Sequence, residues 1–301
     1  TIEEKQLISA IKNNFDQTNA GFGNGIKFPP HNTLLFLLHY YEEIKDEEIA
    51  LIIQKTLDSI ALRGLHDHLQ GGFYRYCTDQ QWTIPHFEKM LYDQAMLLII
   101  YSAAYKLFKK EENKKNVEKI IFCLEETFEE DTLYYSAHDA DTEHKEGITY
   151  LWDYQELKKV LTEDEFDQCK NLFEISEYGN FEEKIHLLKK ENRWLPLIEE
   201  KLLNIRKKRE QPFIDKKIIT SWNCLLAIGF IYAYRYADNE KARSKATKLF
   251  HRLKEKHYQN NKLIHSSFGN QLQKQEFLQD YAAFLLLATF ISEETGEEKE
   301  F

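Results

Sequence analysis

Residues 71–95 read GGFYRYCTDQQWTIPHFEKMLYDQA and set Arg75, Asp79, His86, Glu88, Lys89, Asp93 and Gln94 among aromatic side chains. Histidine next to carboxylates is the side-chain set for moving protons near neutral pH. Aromatic faces among them suit a ligand with a flat apolar side and polar edges. Gly71-Gly72 should break a preceding helix, because glycine takes positive φ without strain. Phe73 to Trp82 reads as two extended runs around Thr78-Asp79, and Pro85 fits the first turn of a helix that the pattern predicts over 85–109. On that helix His86, Lys89, Asp93 and Leu97 would share one face. Burying such groups costs several kcal/mol unless they are paired or line a wet cavity. The stripe therefore predicts a cavity, with satisfied structural groups as the alternative.

Three further segments carry groups of the same kind. In YYSAHDADTEHKEGITYLW (134–152), Asp139 and Asp141 project the same way if the chain is extended, and Glu143 continues the series. A calcium loop of EF-hand type fails there, because its sixth and twelfth positions hold His144 and Tyr150. The acids then either meet substrate hydroxyls or cap backbone N–H groups. In DKKIITSWNCLLAIG (215–229), Trp222 offers a stacking face and Asn223 a donor and an acceptor; a packed core tryptophan with a bonded amide explains them equally. In FLQDYAAFLLLA (277–288), Asp280 and Tyr281 enter an apolar helix, where Asp280 also fits as a carboxylate favoured by the helix dipole. The glycine-rich GFGNGIKFPP (21–30) lacks the pattern of a nucleotide loop.

Apolar spacing places helices near 3–15, 31–44, 46–63, 85–109, 113–129, 154–161, 163–173, 195–209, 217–237, 239–257 and 277–295. Short turns such as Ile44-Lys45-Asp46 and Ala237-Asp238-Asn239 join some neighbours as helical hairpins, while long loops rich in Gly, Asp and aromatics join others. This alternation describes a solenoid or closed toroid of hairpins whose loops gather on one rim. Asp93, Asn223 and Asp280 each fall in the early turns of an apolar helix, so in a ring they would converge on one end of a central cavity.

The chain has 301 residues, 43% of them apolar, enough for a sizeable core in a single domain spanning 1–301. A net charge of −10 argues against general nucleic-acid binding. No apolar run reaches the roughly 18 residues of a membrane span. The basic run RKKRE (206–210) reads as a solvated helix end. Cys77, Cys123, Cys169 and Cys224 are far apart, which fits reduced thiols and a cytoplasmic location better than disulfides or a metal site, and gives no basis for redox chemistry. No cofactor or metal is expected.

The long motif at 71–95 follows, nearly residue for residue, the pattern GGGF-x-RYS-x-D-x-x-W-x-x-PHFEKMLYDQA. The segment YYSAHDADTE with EG, Tyr150 and Trp152, then GNFE (180–183), TSWN (220–223) and FLQDYA (277–282), follow in matching order. On these motifs the chain resembles the spermatogenesis-associated, YyaL-like, thioredoxin-domain-containing family over almost its whole length. The resemblance implies an all-α fold: an (α/α) helical-hairpin toroid of the six-hairpin glycosidase type, with short β-hairpins in the rim loops. It also implies a thioredoxin-like domain fused upstream and further hairpins downstream, so that this chain is part of the ring. Departures from the pattern are Gln70, His138, Lys216 and Cys224; Lys216 replaces a carboxylate.

The functional expectation is a carbohydrate-active site that acts on or binds a sugar by acid–base chemistry, of epimerase or glycosidase type. His86 would act as base or acid with Asp93 orienting it, and Asp139 and Asp141 would bind hydroxyls or supply a second carboxyl. Trp82 and Trp222 would stack on the ring, with Arg75, Glu88, Lys89, Tyr92, Asn223, Asp280 and Tyr281 as further contacts. The alternatives are a non-catalytic scaffold presenting a partner to the fused thioredoxin-like domain, and a helical repeat with a purely structural cavity.

Overall fold

A computed structural model describes residues 2–296. Eleven helices run through them: α1 (Ile2–Asn14), α2 (His31–Ile44), α3 (Glu47–Leu62), α4 (Leu91–Phe108), α5 (Glu111–Thr127), α6 (Tyr154–Val160), α7 (Glu163–Leu172), α8 (Pro196–Arg206), α9 (Thr220–Tyr236), α10 (Glu240–His257) and α11 (Leu278–Thr295). Between them lie short strands: β1 (Tyr76–Cys77), β2 (Pro85–His86), β3 (Lys89–Met90), β4 (Glu129–Glu130), β5 (Leu133–Tyr134), β6 (Ala137–His138), β7 (Asp141–Thr142), β8 (Lys145–Glu146), β9 (Ile214–Asp215), β10 (Ile218–Ile219), β11 (Tyr258–Gln259), β12 (Lys262–Leu263), β13 (Ser266–Phe268) and β14 (Gln271–Gln273). The chain divides into two compact units. One comprises the residues up to Glu88 with Ala140–Pro212; the other comprises Lys89–Asp139 with the residues from Phe213 onward.

In the first unit α2 and α3 form a hairpin through the short turn expected from sequence. Lys45 takes a left-handed φ of 59°, and Asp46 caps α3 by accepting from the N–H of Glu48 and Ile49. Leu34, Leu37 and Leu38 of α2, with Ile49, Ile53, Leu57 and Ile60 of α3, are buried at helical spacing. The loop at 15–30 is held by Lys27, a fully buried ammonium that reaches Asp16 at 2.8 Å and the carbonyl of Ala20 at 2.9 Å. Burial alone would raise the Asp16 pKa. Its bonds to Lys27 and to the N–H groups of Asn19 and Thr18 outweigh that and hold it well below the usual carboxylate range.

The second unit is built on α4 and α9, which pack on each other; α5 covers α4, while α10 and α11 cover α9. Both central helices are buried around most of their circumference, which accounts for their nearly continuous apolar sequences. Gly229 permits the close approach, since a Cβ there would lie 3.1 Å from Leu98 Cδ2 and 3.2 Å from the Ala95 carbonyl. Removing a side chain from such a seam, as in Leu98→Ala, costs about 2–5 kcal/mol.

Two expectations change. The helix predicted over 85–109 begins only at Leu91. Pro85-His86 pairs with Tyr76-Cys77, and Lys89-Met90 pairs with Ala137-His138, so ladder hydrogen bonds take the backbone that a first helical turn would need. His86, Lys89 and Asp93 therefore share no helix face. The basic run does not stand in solvent throughout: Arg206 is buried and forms a fork onto Asp67 at 2.8 and 2.7 Å, and its charge is stabilised by that carboxylate against the cost of burial. Arg209 lies 4.0 Å over Trp152 and bonds Glu156 at 2.9 and 3.0 Å.

Candidate functional site

In the first unit the β1–β2 ladder sets Tyr76 opposite His86, and their rings stack at 5.2 Å. Phe28, just over half exposed, also stacks on Tyr76 at 4.7 Å. His86 Nδ1 lies 2.6 Å from Glu146 Oε1, with both side chains partly open to solvent. Glu146 stands opposite Asp141 on the β7–β8 hairpin. Gly147 locks that hairpin in place: its φ is +69°, and a Cβ would come within 2.4 Å of the Phe87 ring, next to His86 in the chain. Phe87 in turn stacks on Tyr150 and meets Tyr74 edge-on. Arg75 and Glu88 form an ion pair at 2.9 Å near the same strands. The arrangement is a histidine oriented by a carboxylate at the end of an open aromatic ledge.

The second unit brings together the N-terminal ends of α4, α9 and α11. Tyr92 and Trp222, both half-buried, meet edge-to-face at 5.0 Å. Asp280 is 1% exposed. It accepts from the Ser221 N–H at 3.1 Å and from His265 Nδ1 at 2.8 Å. Asn223 is fully buried, and its amide bridges both backbone groups of Tyr134 as well as the Ile219 carbonyl. Lys89 and Asp93 are buried too, with Lys89 Nζ 3.9 Å from Cys123 Sγ. Across from Lys89, His138 stacks on Phe128 at 4.2 Å; burial and then the Lys89 charge push its pKa down to about 3.

Several expected site residues take other positions. Trp82 is 0% exposed and gives its indole N–H to the Asn19 and Ala20 carbonyls, so no ring face is free for a ligand. Asn223 is a strut between loop and helix. The Tyr281 hydroxyl is engaged by Glu276 at 2.5 Å and by the Leu263 N–H. Asp139 and Asp141 are both exposed, but the chain bends at Ala140 between them. Lys216 lies 5.5 Å over the Tyr135 ring. Phe28, Tyr76, Glu146 and His265 were not among the expected residues. Glu146 followed the acidic series at Asp141 and Glu143 and was the most findable; His265 carried no local signal, because its partner lies 15 residues on in another element.

No protein-family model matches the chain. It is 32% identical to uncharacterized protein B0495.5 of Caenorhabditis elegans, over 81% of this chain and 40% of that protein. It is 30% identical to spermatogenesis-associated protein 20 of Homo sapiens, over 72% of this chain and 33% of that protein, and 29% identical to the Mus musculus protein of the same name. The chain thus spans two fifths or less of the curated relatives it matches. Among solved structures it is similar to an unsaturated glucuronyl hydrolase specific for heparin, with a TM-score of 0.57 and 12% identity over 97% of this chain and 68% of that one. It is also similar to the α-1,6-mannanase GH76A of Salegentibacter sp. HEL1_6, with a TM-score of 0.54 and 12% identity over 97% of this chain and 64% of that one. Such identities speak to fold alone, and the fold is the all-α, (α/α) toroid type of the six-hairpin glycosidases. Over most of its length the chain has homologues named spermatogenesis-associated protein 20.

Proposed function

We propose that this chain is the toroid part of a spermatogenesis-associated, YyaL-like protein and that it binds and chemically handles a sugar. The observation that carries the reading is the His86–Glu146 pair at 2.6 Å beside the stacked rings of Tyr76 and Phe28. A carboxylate on Nδ1 sets the imidazole orientation, leaving Nε2 to exchange a proton with ligand. The aromatic ledge suits the apolar face of a pyranose, and the exposed Asp141 carboxylate, opposite Glu146, suits its hydroxyls. The fold shared with enzymes whose names denote glycan hydrolysis is consistent with this reading.

The test is a melting-temperature screen of mono- and disaccharides against the chain, followed by titration of whatever binds. At least one sugar should raise the melting temperature, and His86→Ala or Phe28→Ala should weaken its binding by about tenfold, the loss of roughly 1.4 kcal/mol. Absence of any shift, or binding indifferent to His86→Ala, sinks the proposal. In the second case the scaffold reading, with a fused thioredoxin-like domain as client-handling partner, takes its place.

A further inference from the structure

We propose that His265 in the second unit is a general base for the anomeric hydroxyl of a reducing sugar, with Asp280 as its positioning residue. Asp280 is 1% exposed and is fixed from two sides, by the Ser221 N–H at 3.1 Å and His265 Nδ1 at 2.8 Å. A carboxylate held this way keeps the imidazole proton on Nδ1 and turns the Nε2 lone pair outward. The His265 side chain is 27% exposed, so the lone pair is within reach of a ligand. Phe277 lies 4.5 Å from the imidazole ring and is itself partly exposed, which offers an apolar flank. The Ser221 hydroxyl is buried beside this pair without a hydrogen-bond partner, a polar group available to a bound molecule. The half-buried Trp222 ring stands next to it in the chain, against Tyr92.

The chemistry follows from what the dyad lacks. Cleaving a glycoside uses two carboxyls about 5–10 Å apart, with one delivering a proton. Here the single carboxylate is buried and occupied, and the outward group is a base. Among sugar hydroxyls the hemiacetal one is the most acidic, and a glycoside has no proton at that oxygen. In the proposed step the anomeric O–H bond breaks and Nε2–H forms. The oxygen's electron pair closes to the C1 carbonyl as the bond from C1 to the ring oxygen breaks, and the ring oxygen takes a proton from water. The imidazolium, held in place by Asp280, returns its proton to the hydroxide so formed. The choice of a sugar as ligand rests on the function proposed above; the outward base does not.

The measurement is the rate at which freshly dissolved α-glucose, α-galactose, α-mannose and N-acetyl-α-glucosamine reach anomeric equilibrium, followed by polarimetry with the chain or with an equal concentration of imidazole. The chain should exceed imidazole by ~100-fold for at least one sugar, the low end of what a positioned base contributes. His265→Gln should abolish the excess, Asp280→Asn should lower it, and the surface variant His39→Gln should retain it. Imidazole nitrogen shifts should show Nδ1–H, Nε2-bare His265 in the native chain and a mixture of tautomers in Asp280→Asn, which separates positioning from simple loss of fold. A rate no faster than imidazole, or an excess surviving His265→Gln, overturns the proposal. Sugars that bind in the melting screen without faster equilibration would overturn it while leaving the proposed function intact.

Discussion

Glu146 reaches His86 across 60 positions of sequence, and the glycine after it seats the hairpin that carries it. At Gly147 a methyl group would meet the Phe87 ring at 2.4 Å, on a backbone at φ +69°. Gly147→Ala should therefore cost about 2–4 kcal/mol, adding left-handed strain to overpacking, and should loosen the His86–Glu146 bond. Urea unfolding checks the first effect; an unchanged midpoint would show that the hairpin is not seated on Phe87. At this scale the sequence disclosed types more readily than exposure. A histidine among acids and aromatics raised the expectation of proton chemistry, and Asp280 at a helix start that of a fixed carboxylate, which its bonds to Ser221 and His265 bear out. Trp82 and Asn223 were legible as chemically able groups, yet packing against residues 19–20 and around Tyr134 committed both to the interior. Nothing local to a side chain reveals such distant partners.

Elements divide by the range of the forces that set them. Each of the eleven helices was visible in apolar spacing, because that signal lies within the element. Residues 85–90 form strand where local spacing favours helix, since their ladders to 76–77 and 137–138 depend on residues elsewhere in the chain. The small hairpins were harder still. Their two-residue turns at Asp131-Thr132, Glu143-His144 and Asn260-Asn261 all place both residues at positive φ, the geometry usually filled by Asn-Gly. Only the last pair resembles that signature. Thr132, β-branched at φ 68°, is strained in this role. Thr132→Gly should stabilise the second unit by about 1 kcal/mol, the left-handed penalty less glycine's extra unfolded freedom. Asn261→Gly should change stability by a few tenths. Matched urea midpoints for the two variants would contradict this account of the turns.

For the molecule as a whole, buried histidines make stability depend on acid in a window that surface charge alone would not set. His186 is packed in the first unit with Nε2 on the Gly64 carbonyl, and burial pushes its pKa down to about 4. In the second unit burial pushes His138 to about 3 and His257 to about 4; His257 is held between the Thr220 and Ser267 hydroxyls. The ordinary value is 6.5, so the unfolded chain takes up these protons first as pH falls. Stability is then complete above about pH 6.5 and declines toward pH 4, by about 1.4 kcal/mol per pH unit for each histidine. Asp16 adds its own loss as pH falls through its unfolded value of 3.8, because its folded value lies below that, so the interval from 6.5 to 4.5 isolates the histidines. Unfolding free energies by urea at pH 7.5, 6.0 and 5.0 should fall with this slope. The first unit holds two further imidazoles that burial pushes down, His31 to about 4 and His68 well below its ordinary value, so a signal reporting on that unit should lose stability about one and a half times as steeply as one reporting on the second unit's tryptophan, Trp222. His257→Gln keeps a partner for each hydroxyl and removes one titrating group, and should reduce the second unit's slope by about half. A profile flat down to pH 4.5 would mean that these imidazoles accept protons inside the fold, and that the interior is wetter than their burial implies.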